Sequence, residues 1–194
     1  MTKKKTSSPS SLVDPATPYA LEVTSGKRIA GPDIRNACAR HLKDIKTGAK
    51  RGLKWDIEES NKAIRYYRNV LKLNGGDYEG KDFVLLPWQA FIVGSLFGWK
   101  AKDGTRRFRV AYVETGKGSG KSPLAAGIGL KGLTADGEAR AEIYAAATKK
   151  DQAMILFRDA VAMVQQSDEL KKRITTSGGG QNIWNLAYLQ TGSF

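Results

Sequence analysis

FRVAYVETGKGSGKSPLAAGIGL, residues 108–130, is the stretch whose reading decides the fold. In its first part Val110, Tyr112 and Glu114 alternate with Arg109, Ala111 and Val113, the two-residue period of a short strand. The run empties into Gly116, Lys117, Gly118, Ser119, Gly120, Lys121 and Ser122, after which Leu124, Ala125, Ile128 and Leu130 resume at helical spacing. Strand, glycine-rich loop and helix in that order are the layout of a phosphate-binding loop. There the glycines let backbone N–H groups turn toward a polyphosphate, a lysine (Lys121) reaches the outer phosphates, and a serine hydroxyl (Ser122) holds Mg²⁺.

The usual spacing, G-x-x-x-x-G-K-[ST], is missed by one position. Thr115 stands where the first glycine belongs, and Gly116 follows it. A solvated glycine-rich turn is the plain alternative, but a strand before and an apolar helix face after supply the context a phosphate loop needs. Pro123 is a second departure, because the residue after the serine usually offers its own N–H and proline has none. Proline is tolerated in a first helical turn, so the expected cost is a weaker grip on the inner phosphate and not a broken helix.

With 194 residues the chain is long enough for a sizeable core. It carries 32 Lys and Arg against 19 Asp and Glu, a net charge of +13, which favours a polyanionic partner such as nucleic acid over a neutral one. A single cysteine, Cys38, excludes an internal disulfide, and with a single histidine, His41, there are too few soft ligands for structural zinc. His41 reads as a surface or interface residue, since no nucleophile motif accompanies it. No run of about eighteen apolar residues is present, and MTKKKTSSPSS lacks the apolar segment of a secretory signal, so a cytoplasmic protein is expected.

Three regions are expected along the chain: a disordered basic arm at 1–18, a helical lead at 19–80, and a partial nucleotide-binding domain at 81–194. Within the lead one helix begins near Pro32 with Ile34, Ala37, Cys38, His41, Leu42 and Ile45 on one face, and ends at Gly48. A second starts at Asp56, where Asp56 and Glu59 have capping-box spacing, and stops before Asn74, Gly75 and Gly76. Residues 83–99 are apolar enough to be buried, opened by Pro87; Gln89 does not fit a pure core reading, because its amide has both a donor and an acceptor suited to an adenine edge. Trp88 beside it is either core or a stacking surface. Residues 139–147 are a candidate second strand, Thr148 a candidate helix cap with Asp151 in the first turn, and the end of the chain reads as a hairpin around Gly178, Gly179 and Gly180. The βαβα order implies an α/β fold with a parallel sheet.

A nucleotide hydrolase of this kind also needs an acidic pair after an apolar strand, to help hold magnesium and to orient water. Asp168 and Glu169 have the right letters but follow a polar helix end, where they read as a solvated terminus. With the chain stopping inside a β-like stretch, an amino-terminal piece of a longer ATPase is expected.

Three blocks together resemble the large subunit of tailed-phage terminases. They are Leu86-Pro87-Trp88-Gln89 with Phe97-Gly98-Trp99, then Arg106-Arg107-Phe108 through Ala111-Tyr112-Val113-Glu114 into Gly120-Lys121-Ser122-Pro123, then Ala146-Ala147-Thr148-Lys149-Lys150-Asp151-Gln152. The resemblance implies a RecA-like ATPase sheet, here incomplete and preceded by a short helical lead, using ATP and Mg²⁺. In such a subunit the ATPase is joined to a nuclease that cuts phage DNA, and the motor drives double-stranded DNA through a portal protein with a small terminase subunit, as a ring. By position it implies that Thr115, Gly116, Lys117, Gly118, Ser119, Gly120, Lys121 and Ser122 bind nucleotide, that Gln89 and Trp88 meet the base, and that Lys121 and Lys117 act on the phosphates. The family often has arginine where Lys117 stands; lysine lacks the planar fork, which weakens a finger-like role. A truncated basic module that binds DNA or the small subunit without catalysis, or a piece of another P-loop enzyme such as a helicase, are the competing readings.

Overall fold

The structure, a computed structural model, describes residues 14–180, 182–189 and 192–193. It is a mixed arrangement of helices and short strands. Helix α1, Ala16–Thr24, starts where Asp14 accepts from the backbone N–H of Ala16 at 2.9 Å and from the Thr17 hydroxyl. Most of the arm expected at 1–18 lies outside the described residues, but from Ala16 onward the chain is already part of the helical lead. Helix α2, Pro32–Thr47, has its proline in the first turn as the sequence predicts, and continues through a 3-10 turn, Gly48–Arg51, to Gly52, whose φ of 73° suits only glycine comfortably. Helix α3, Ile57–Val70, is capped by Asp56, which accepts from the Glu59 N–H at 3.1 Å. Strands β1, Lys54–Trp55, and β2, Trp99–Lys100, pair antiparallel and bracket α3 and α4, Pro87–Gly98.

The second half holds α5, Lys121–Thr134, then β3, Ala141–Glu142, α6, Lys150–Gln166, and α7, Asp168–Lys171. Strands β4, Ile174–Ser177, β5, Asn185–Tyr188, and β6, Gly192–Ser193, complete a sheet ordered β3-β6-β5-β4. The hairpin read from the glycines forms with Ile174 opposite Tyr188. Among the described residues only β3 and β6 run parallel; the other pairs are antiparallel, so the parallel sheet expected from the βαβα order is not what they form. Residues 108–114 belong to no strand, because no neighbouring segment pairs with them, and Val110 and Tyr112 are each 86% exposed. Of the strand expected over 139–147 only Ala141–Glu142 is paired. Lys149, not Thr148, is the residue at the start of α6, and the Thr148 hydroxyl turns to Gln152 Oε1 instead.

Two hydrophobic clusters hold these elements. The larger joins α3, α4, α5, α6, α7 and the hairpin through Tyr67, Phe97, Leu130, Met163, Leu170 and Leu186, all nearly or fully buried. The smaller packs α1 and α2 on α4 through Tyr19, Val23, Cys38 and Phe91. Trp88 touches both.

Of the two places read for His41, surface or interface, the structure excludes the surface: it is 3% exposed, between α2 and the aromatic rings packed on it. Trp99 Nε1–H donates to His41 Nδ1 at 3.0 Å. An indole N–H only donates, so Nδ1 carries no proton and the ring's N–H is at Nε2, facing the Thr17 hydroxyl at 3.0 Å. Thr17 donates onward to Asp14, which also receives the Trp55 indole N–H at 3.0 Å. The imidazole is thus a neutral spacer in a closed relay, ringed edge-on by Trp55, Phe91 and Trp99. Burial, opposed by Asp14 and Asp44, holds its pKa below the ordinary 6.5. The native state therefore binds fewer protons than the unfolded chain below that value, so this contribution to stability is whole above about pH 6.5 and is lost as pH falls. Denaturant titrations between pH 5 and 8 are expected to show this loss in the native chain; a His41→Gln variant, which keeps a donor and an acceptor but does not titrate, flattens it.

Candidate nucleotide-binding site

The loop ahead of α5 has the backbone that a phosphate cradle requires. Gly118 and Gly120 have φ of 80° and 82°, in the left-handed region where a side chain is strained, and Gly120 stands at the N-terminus of α5. Leu124 N–H donates back to Gly120 O at 3.1 Å, the bond that skips over Pro123. Among the described residues, the N–H groups of Gly118, Ser119, Gly120, Lys121 and Ser122 donate to no protein acceptor. That is a row of backbone donors at the positive end of a helix, the arrangement that takes an anion.

The loop's own hydroxyls close it. Thr115 Oγ1 and Ser119 Oγ are hydrogen-bonded across its base, and Ser119 Oγ donates to Gly116 O at 2.8 Å. A glycine at position 115 could not make that clasp, which accounts for the threonine that breaks the sequence pattern. Lys121 Nζ folds over the loop and donates to Thr115 O at 3.3 Å and Gly116 O at 3.4 Å, long contacts that a phosphate oxygen would outcompete. Ser122, partly buried in the first turn, lines with Lys121 a cavity of about 250 Å³ walled by Val113, Ala125 and Leu156. Lys117 is exposed in the loop and has no ion pair or hydrogen bond among the described residues.

Gln89 is brought to the same place from α4. It is 4% exposed, and a Cβ on Gly120 would stand 3.5 Å from its Nε2. Its Oε1 accepts the Leu86 N–H at 2.9 Å, capping α4, so the oxygen is committed and the NH₂ is the end left for a ligand. Trp88 next to it packs between the two hydrophobic clusters. Asp168 is 93% exposed and pairs with Lys171, and Glu169 pairs with Arg173 at 3.1 Å, so this acidic pair is a solvated helix terminus as read from the sequence. No group of three or more His, Cys, Asp or Glu side chains suited to a metal gathers among the described residues. The donors that are present, a serine hydroxyl, a lysine and a row of N–H groups, fit a polyphosphate with its magnesium ion.

One residue that positions the site escaped sequence reasoning. Tyr67 of α3 is fully buried and donates its hydroxyl to Leu124 O at 2.6 Å, one turn into the helix that begins at the phosphate loop. Its ring presses so close to α5 that a Cβ on Gly127 would lie 2.4 Å from Cε1. Glycine inside the helix at 127 was the available signal, since its low helix propensity is justified only by a close approach. Burial raises the Tyr67 pKa well above its usual range, so the hydroxyl stays a donor.

Residues 87–178, a little under half of the chain, match the family described as terminase large subunit, ATPase domain. They contain both Gln89 and the loop from Thr115 to Ser122. The fold is similar to the crystal structure of the HK97 bacteriophage large terminase, with a TM-score of 0.56 and 20% sequence identity over 69% of this chain. The match covers 26% of that protein, so the chain spans about a quarter of its length. No curated protein matches the sequence. Among the described residues no helix is long and apolar enough to cross a membrane.

A Gly127→Ala variant tests the contact that seats the loop helix. The added methyl has to displace Tyr67 in a packed core, and a loss of about 1–3 kcal/mol is expected in denaturant unfolding.

Proposed function

We propose that this chain is the nucleotide-binding part of a viral DNA-packaging motor, a terminase-type ATPase that binds ATP with Mg²⁺ at the loop running from Thr115 to Ser122. The observation that carries the reading is the row of unpartnered N–H groups at the start of α5, with Gln89 beside it, inside the segment that matches the terminase ATPase domain. The N–H groups hold the phosphates, and Lys121 leaves the Thr115 and Gly116 carbonyls to neutralise the outer ones. The Ser122 hydroxyl is the protein's ligand for magnesium, which when bound supplies charge neutralisation across the phosphates. Gln89 donates its NH₂ to an acceptor nitrogen of adenine, with Trp88 fixing its helix. Lys117 adds a point charge over the terminal phosphate.

The same reading extends to the fold and the partners. The segment around β3 lies on α5 through Ile143 against Gly132, and Val113 of the extended segment 108–114 lines one cavity with residues of α5; this supports a RecA-like sheet completed by further strands. The organisation is then a basic arm at 1–18, a helical lead at 19–80 and a partial ATPase domain at 81–194. The partners are double-stranded phage DNA, a small terminase subunit and a portal protein, with the motor working as a ring in the host cytoplasm and a nuclease domain doing the cutting. With no acidic pair beside Ser122 among the described residues, the chain binds nucleotide but turns it over slowly.

Calorimetric titration with ATP tests this. Magnesium-dependent binding is expected, weakened at least about tenfold by Lys121→Ala, while Gln89→Ala narrows the preference for ATP over GTP. Absence of magnesium-dependent ATP affinity in the unaltered chain overturns the assignment, and brisk hydrolysis overturns the claim of slow turnover.

A further inference from the structure

Residues 35–54 carry seven basic side chains and a single acidic one, Asp44. That carboxylate is no counter-ion for the surface. Its side chain is 2% exposed, paired with Arg51 and with Arg107 Nη1 at 2.7 Å. Burial alone pushes its pKa up, but the two guanidiniums outweigh this and hold it below the usual carboxylate range. Lys54 is paired with Asp56 at 3.2 Å. Four further cations stand uncompensated along the outer face of α2 and the 3-10 turn that follows it. Arg40, Lys43, Lys46 and Lys50 recur at intervals of three and four, opposite the buried Cys38, His41 and Gly48. All four are exposed, and none has a carboxylate within ion-pair distance among the described residues.

The row does not end with the helix. Arg40 reaches across to the ring of Phe108, its guanidinium carbon 5.2 Å from the centroid, and Arg107 covers the same ring at 4.8 Å. Exposed Arg109 follows at once, and on the other flank exposed Lys102 lies against Gly52. Like charges lined up this way repel one another, a cost that a polyanion laid along them removes.

We propose that the outer face of α2, with the 3-10 turn that follows it and exposed Arg109, is the surface on which this protein holds double-stranded DNA, by its phosphates and without reading sequence. From residue 40 through the end of α2 and its 3-10 extension to residue 50 the backbone rises about 15 Å, enough to face about four phosphates of one strand. The surface is borne by α2 and its 3-10 extension, and its one aromatic ring among the described residues, Phe108, is covered by guanidiniums. It thus lacks the free stacking platforms that single-stranded nucleic acid uses. The choice of duplex DNA rests on the packaging-motor reading; the existence of the surface does not. It is also separate from the nucleotide loop, joined to it by the extended run from Phe108 to Thr115.

Fluorescence anisotropy with two unrelated 30-base-pair duplexes, at 50–200 mM salt, tests the assignment. Lys43→Glu/Lys46→Glu/Lys50→Glu is expected to weaken both duplexes alike, by at least about tenfold, and to flatten the slope of log affinity against log salt by about two to three units. The milder Lys-to-Gln triple, which serves if the reversal variant does not fold, shifts both in the same direction. Lys171→Glu/Lys172→Glu, at exposed positions at the C-terminal end of α7, changes affinity by less than about threefold. A triple variant no weaker than that control overturns the proposal, as does tighter binding of the unaltered chain to single-stranded DNA or to anionic lipid vesicles than to duplex. ATP titrations on the same proteins keep the two readings apart. Duplex binding through the stripe with no ATP affinity sinks the nucleotide assignment alone, and ATP affinity with duplex binding indifferent to the stripe sinks this one alone.

Discussion

The geometry of the candidate nucleotide site depends on how one phenol meets one helix. Tyr67 is wedged between α3 and α5, its ring against Gly127 and its hydroxyl on the Leu124 carbonyl. The contact fixes α5 one turn below the residues that open toward a phosphate. Because α3 packs extensively on α4, it also sets the distance from α5 to Gln89. A bulkier residue at 127 or a shorter one at 67 would move the loop helix relative to the glutamine. The site is therefore assembled by the helical lead, and not by the loop alone.

A second tie runs through polar groups. Trp99, at the end of α4, is fixed from one side by His41 and from the other by Arg107, whose guanidinium lies 5.2 Å from its ring centre while pairing with Asp44. Both His41 and Asp44 come from α2, so the outer basic helix is joined to the segment that leads to Phe108 and on to the loop. A buried polar relay and a buried ion pair are expensive to desolvate and unforgiving of a lost partner, which makes them better at fixing one geometry than at adding stability. The consequence is a continuous set of contacts from the charged face of α2 to the first residue of the extended run.

Much of the site was legible residue by residue. Gly118 and Gly120 are glycines because their backbone is left-handed, and Lys121 and Ser122 follow because a helix starts there. Thr115 breaks the glycine pattern, and its hydroxyl, bonded to Ser119, supplies the reason. Gln89 was singled out as a misfit in an apolar run, and it lies beside Gly120. The shortfalls share a cause. His41 reads only as surface or interface because its own stretch of sequence carries no sign of the tryptophan, 58 positions away, that buries it. The strand at 108–114 was inferred from alternation, which reports a preference for extended backbone but supplies no partner to pair with.

By itself the sequence determined what depends on near neighbours: the helix starts at Pro32, Asp56 and Pro87, the turn chemistry of the glycine loop, the hairpin at the end, and a surplus of positive charge. These follow from backbone sterics, capping and composition, which act within a few residues. Only the tertiary structure decided which side chains meet across the chain. Tyr67 with Leu124, Gln89 with Gly120, His41 with Trp99 and Asp44 with Arg107 are separated by 31 to 63 residues, and close packing, not local preference, selects them. It also decided that the cations of α2 form a single outward row, because the carboxylate within that stretch turned inward.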